Sequence, residues 1–163
     1  MKYQYTGKSL LELRKQYVVG SNGFYDNDWW FKEKFASVHP PKGEYEIDLE
    51  GKFGLMSWNE QEKLIPKGWE RTHPAVLTEA VLSHFKKKGK RLMEDWDHWS
   101  DILVPDGYRV YVGNFDQLGW RVNYYPPGWD GSGNLRVCLS RKFLEFEPFD
   151  FLDIRLKTQN KTL

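Results

Sequence analysis

The chain has 163 residues, with 24 basic and 23 acidic side chains, a formal net charge of +1 and 17% aromatic residues. That length suits one domain with a real core, and the charge balance gives no electrostatic argument for nucleic acid or an anionic membrane as partner. The lone cysteine, Cys138, excludes an intrachain disulfide and a zinc ribbon.

The N-terminal stretch lacks a long apolar segment, so no signal peptide is expected, and no window has the length of a membrane span. The default location is then the cytoplasm. "SLLELRKQY" reads as a short helix with Ser9 as cap and Glu12 three residues later, the capping-box spacing. Asp28 is placed to cap a second short helix, "WWFKEKFA", before "HPPKG" breaks the chain. "EYEIDL" alternates, with Tyr45, Ile47 and Leu49 on one face of a half-buried strand. "SWNEQEKL" repeats the capping box with Ser57 and Glu60.

The clearest helix spans 74–88, with Thr72 as a plausible cap, Pro74 in the first turn and Gly89 as the stop. Leu77, Ala80, Val81, His84 and Phe85 recur along one face, so His84 reads as a hydrogen-bonded core histidine. Lys86 to Arg91, "KKKGKR", places cations where they favour a helix C-terminus. "EDWDHWSD" reads as a solvated, helix-like face anchored by Trp96 and Trp99. Its carboxylates and imidazole also supply an alternative function, a metal-dependent hydrolase or nuclease using Asp95, Asp97 and His98.

After this the pattern turns to β. Strands are expected near 108–113, 120–124 and 135–140. Tyr108, Val110 and Val112 share a face of the first. Trp120, Val122 and Tyr124 share a face of the second, opposite Arg121, Asn123 and Tyr125. In the third, Leu135, Val137 and Leu139 point inward, opposite Arg136 and Cys138. The order is α+β, early helices followed by a late antiparallel sheet.

Between the last two strands lies the most unusual composition in the chain. From Trp120 to Asn134, eleven of fifteen residues are Trp, Tyr, Gly, Asn, Ser or Asp. A core strand is richer in Val and Ile, and a plain solvent loop carries fewer rings. The mixture resembles a paratope, where rigid aromatics supply contact area and small polar residues supply adaptable hydrogen bonds. The expected ligand contacts are Trp120, Asn123, Tyr124, Tyr125, Trp129, Asp130, Ser132 and Asn134. The shared parity of Trp120 and Tyr124 with Val122 makes those two the exceptions to a simple outward face.

"PDGYRVYVGNFDQLGWRV" with the later "NLRVCLSRKF", and "HPAVLTEAVLSHFKKKGKRLMEDW" before them, resemble small archaeal and bacterial proteins, some of which look like variable targets of diversity-generating retroelements. The resemblance covers roughly residues 30 to 143. It implies a C-type lectin-like domain with diversified side chains on a ligand-binding face. Arg136 stands where that pattern has glycine, and the 144–163 tail lies beyond it. The calcium-dependent sugar-binding motifs of lectins are missing from the sequence, so the resemblance implies neither calcium nor sugar. The expectation is therefore a non-enzymatic binding protein with a protein ligand, no cofactor, no metal, no nucleic acid and no membrane span.

Overall fold

The computed structural model describes residues 1–128 and 134–143. Two short helices begin with complete capping boxes, α1 (Leu10–Gln16) under Ser9 and Glu12, and α2 (Trp58–Glu62) under Ser57 and Glu60. The long helix α3 runs Pro74–Lys88 and ends at Gly89 in the left-handed conformation, as its sequence predicts. Its N-cap differs from expectation. The His73 ring accepts from the Ala75 N–H, while Thr72 donates its hydroxyl to the Cys138 carbonyl at 2.9 Å. The segment after Asp28 forms turns and a short 3-10 turn at Lys34–Ser37 rather than an α-helix. Its side chains are committed to long-range contacts instead. Trp29 Nε1 and Asn27 Nδ2 both donate to the Val122 carbonyl, at 3.0 and 3.1 Å.

Among the described residues, seven strands form one sheet: β1 (Lys2–Tyr5), β2 (Gly43–Lys52), β3 (Glu70–Arg71), β4 (Asp97–Leu103), β5 (Arg109–Asp116), β6 (Gly119–Tyr125) and β7 (Leu135–Lys142). The order is β1-β2-β7-β4-β5-β6, with β3 also pairing β7. The α+β class holds, with two corrections. Strands occur early as well as late, and the sheet is mixed because β7 joins β4 in parallel. The segment read as a helix-like face is the start of β4, where Asp97, His98, Trp99 and Ser100 are all buried. Among the described residues, no helix is long and apolar enough to cross a membrane.

The main core lies between α1, α3 and one face of the sheet. Val110, Val112, Trp120 and Val122 point into it. Trp120 Nε1 donates to the Thr78 hydroxyl at 2.8 Å, pinning β6 to α3. On β7, the side of each residue reverses the expectation. Cys138 enters this core, while Leu135 packs in a smaller cluster with Trp99 and Tyr111 on the other side of the sheet. Val137 and Leu139 are buried as well. The edge strand β6 is covered by the 23–25 segment, through Trp120 N–H to the Gly23 carbonyl and Tyr25 N–H to the Trp120 carbonyl. That cover removes an open sheet edge.

Candidate functional site: the outer face of the sheet

The register of β4, β5 and β6 sorts their side chains into rows. Asp97, Gly113 and Arg121 form one row, Trp99, Tyr111 and Asn123 the next, and Arg109 and Tyr125 the third. Paired residues of a sheet point to the same side, so these rows make one face, turned away from α3. It is aromatic, with Tyr111 and Tyr125 stacked at 5.1 Å and 14° between ring planes. Asn123 is exposed and Tyr125 half-buried.

Another ring, beside Trp99, Tyr111 and Tyr125, reaches this face from far away in sequence. Trp58, the first residue of α2, packs with the Trp99, Tyr111 and Leu135 cluster. Its indole N–H donates to the Ser100 carbonyl at 2.8 Å. The Arg71 and Arg109 guanidiniums lie over its ring at 4.4 and 3.9 Å. Arg71 also fixes the helix that carries Trp58. It donates to Glu62, to Gln61 Oε1, and to the Trp58 and Trp99 carbonyls. Trp58 and Arg71 carry no local sequence signal as site residues, because the strand they meet lies far off in the chain: Trp99 is 28 positions from Arg71 and Ser100 is 42 from Trp58.

The row nearest the β7 start carries the buried charge. A Cβ at Gly113 would stand 2.6 Å from Asp97 Cα and from the Trp96 carbonyl oxygen, so glycine is required for β5 to approach β4 there. Burial pushes the Asp97 carboxyl up to about 7, with Arg121 opposing and Asp116 adding to the rise. Arg121 is itself paired with Asp116 at 2.6 Å. Burial also raises the Tyr111 hydroxyl, with the Asp97 charge second. Six buried side-chain nitrogen or oxygen atoms among the described residues lack a hydrogen-bond partner. Asp97 Oδ1, Trp99 Nε1, Arg109 Nε and Arg121 Nε are among them, so the unmet polar groups concentrate on this face.

The proposed contact residues separate on this geometry. Asn123 and Tyr125 belong to the outer face, and Asn134 is exposed where the chain rejoins the sheet, its carbonyl accepting the Asp97 N–H at 2.7 Å. Trp120 does not belong: it is fully buried against Thr78 and Phe115, so it is a core residue. Tyr124 also lies on the inner side, half-buried between Trp29 at 4.7 Å and Tyr108 at 5.4 Å. Trp129, Asp130 and Ser132 lie outside the described residues. β6 and β7, the strands that the 126–134 connection joins, both run parallel to β4. The start of that connection is held on the outer side, where the Pro127 carbonyl accepts the Trp58 N–H at 3.2 Å.

Asp95, Asp97 and His98 do not converge. Asp95 is exposed ahead of the strand, Asp97 lies on the outer face, and His98, the next residue of β4, points inward. Both His98 ring nitrogens are engaged: Nδ1 accepts from the Cys138 N–H at 3.0 Å, which leaves Nε2–H to donate to the Thr72 carbonyl at 2.7 Å. Burial holds its pKa down to about 3. Among the described residues, no three His, Cys, Asp or Glu side chains gather as a metal site. His84 is half-buried on α3.

Compared with known proteins, the chain matches no family model, no curated protein and no solved structure.

Proposed function

We propose that the protein is a non-enzymatic binding protein that presents the outer face of β4–β6 and the 126–134 connection to a protein ligand. In this reading the scaffold is C-type lectin-like and the gene is a variable target of a diversity-generating retroelement. One observation carries the reading: along β6, the side chains divide cleanly. Trp120 and Val122 are locked into the core, while Arg121, Asn123 and Tyr125 stand on the other side. β6 is held through its inner side, which leaves the side chains on its other side free to vary. Exposed substitutions mostly cost within about 0.5 kcal/mol, against about 2–5 kcal/mol for truncating a buried aliphatic.

The composition of the face supports a protein rather than a small ligand. The half-buried Tyr125, stacked on the buried Tyr111, and the half-buried Trp58 offer rigid rings, and Asn123 and Asn134 offer adaptable hydrogen bonds. The hydrolase alternative loses support because its three residues are spread over two sides of a strand and its start.

The direct test is to sequence the gene and its surroundings in related isolates. The reading expects variation concentrated at Asn123, Tyr125, Trp129, Asp130, Ser132 and Asn134, with a reverse transcriptase gene beside a near-copy of codons 119–140 that differs at adenines. Uniform codons at these positions and no such copy would overturn the retroelement assignment. Ligand selection from a library varied at the same positions then tests display itself.

A further inference from the structure

The net charge of +1 hides a strong local imbalance. Lys86, Lys87 and Lys88 end α3, and Lys90 follows the Gly89 cap; all four are exposed. Among the described residues none of these lysines has an ion-pair partner. Cations at a helix C-terminus favour the helix dipole, but one or two suffice for that, and here four stand together.

Beside them lies an exposed apolar tip. Val18 and Val19 are 65% and 44% exposed. A cleft of about 410 Å³ joins the two features, lined by Tyr17, Val18, Asn22, Phe85, Lys86 and Gly89. Arg91 ties the turn to the helix end. Its guanidinium donates to the Ser21 carbonyl at 2.8 Å and lies over Phe85 at 4.7 Å and Phe115 at 5.3 Å. The rings that a single-stranded nucleic acid would stack on are therefore already covered.

We propose that the C-terminal end of α3 and the 17–22 turn form a docking surface for anionic phospholipid. Lysine ammoniums meet the headgroup charges, and Val18 and Val19 enter the apolar boundary beneath them. Position favours this partner as well. α3 packs on the inner side of the sheet, through Thr78 to Trp120 and Phe85 to Phe115 at 5.1 Å. A membrane held there leaves Asn123 and Tyr125, on the opposite side, open to a ligand. The docking surface shares no residue with the outer face, so it stands or falls separately from the display reading.

The experiment is co-sedimentation of the full chain with vesicles. One set contains phosphatidylserine in phosphatidylcholine, the other phosphatidylcholine alone, each at low and high salt. The protein is expected to pellet with the anionic vesicles at low salt, and much less with neutral ones or at high salt. Lys86→Gln, Lys87→Gln and Lys88→Gln together should weaken binding about a hundredfold, at about fivefold per cation. Val18→Ser should weaken it further with an unchanged melting temperature, which separates loss of docking from loss of fold. Asn123→Ala should bind vesicles like the parent protein. No binding to anionic vesicles, equal binding to neutral ones, or unchanged binding by the lysine triple variant and by Val18→Ser would overturn the proposal. So would binding to an acidic peptide without binding to vesicles.

Discussion

The two sides of β6 are built from the same seven residues and obey different rules. On the inner side, Trp120 and Val122 are fully packed, and the one polar atom of Trp120 is matched to Thr78. On the outer side, Arg121, Asn123 and Tyr125 share a face with buried polar atoms that no described residue satisfies. The inner side spends every group on stability. The outer side carries groups whose retention stability does not explain. That contrast is what makes the outer side a candidate for recognition.

The largest expected effect attacks the inner side. Trp120→Ala removes a fully buried ring and leaves the Thr78 hydroxyl without its partner, which should cost about 3–5 kcal/mol. Urea unfolding measures it, and a cost near that of an exposed substitution would break the contrast.

The next effect is a pH dependence with two opposed parts. Burial lowers His98 to about 3 and His73 to about 4. Both lie below the ordinary histidine value, so their contribution is present above about pH 6.5 and is lost as pH falls toward those values. At about pH 5 each histidine should have lost about 2 kcal/mol. Asp97 acts the other way. Its raised value, about 7, means that ionisation opposes folding, so stability is lost as pH rises from about 4 to about 7. Asp97→Asn should therefore stabilise the protein by a few kcal/mol at about pH 8. It should also show a steeper loss on acidification, because the opposing group is gone. Equal acid profiles for the two proteins would show that Asp97 is not held neutral by its surroundings.

Smaller effects sharpen the outer side. Tyr125→Ala loses the stack on Tyr111 and should cost about 1 kcal/mol. Asn123→Ala, at an exposed position, should stay within about 0.5 kcal/mol. Thermal melts of the two variants check the ranking, and an Asn123 cost matching that of Trp120 would make the outer side structural.

Local signals in the sequence carried much of the fold. Both capping boxes, the 74–88 helix with its glycine stop and the parity of β6 follow from side-chain spacing alone. What failed did so for long-range reasons. Asp97, His98, Trp99 and Ser100 show no alternation because β4 is paired on both edges and buried on both faces. A buried histidine there is stabilised by Thr72 and Cys138, 26 and 40 positions away. The 29–36 segment has helical composition, but Trp29 and Asn27 are drawn onto β6. In the same way, Asn123 and Tyr125 were legible as site residues from composition and parity. Trp58, Tyr111 and Arg109 were not, since only the sheet register and α2 bring them together.

The central claim is that one side of β6 holds the fold while the other is free to change. A displayed library tests it directly, with full randomisation of Trp120, Val122, Arg121, Asn123 and Tyr125 in turn and sorting for protease resistance. The expected result is depletion of nearly all substitutions at Trp120 and Val122, with broad tolerance at Arg121, Asn123 and Tyr125. Equal depletion at all five positions would contradict the account.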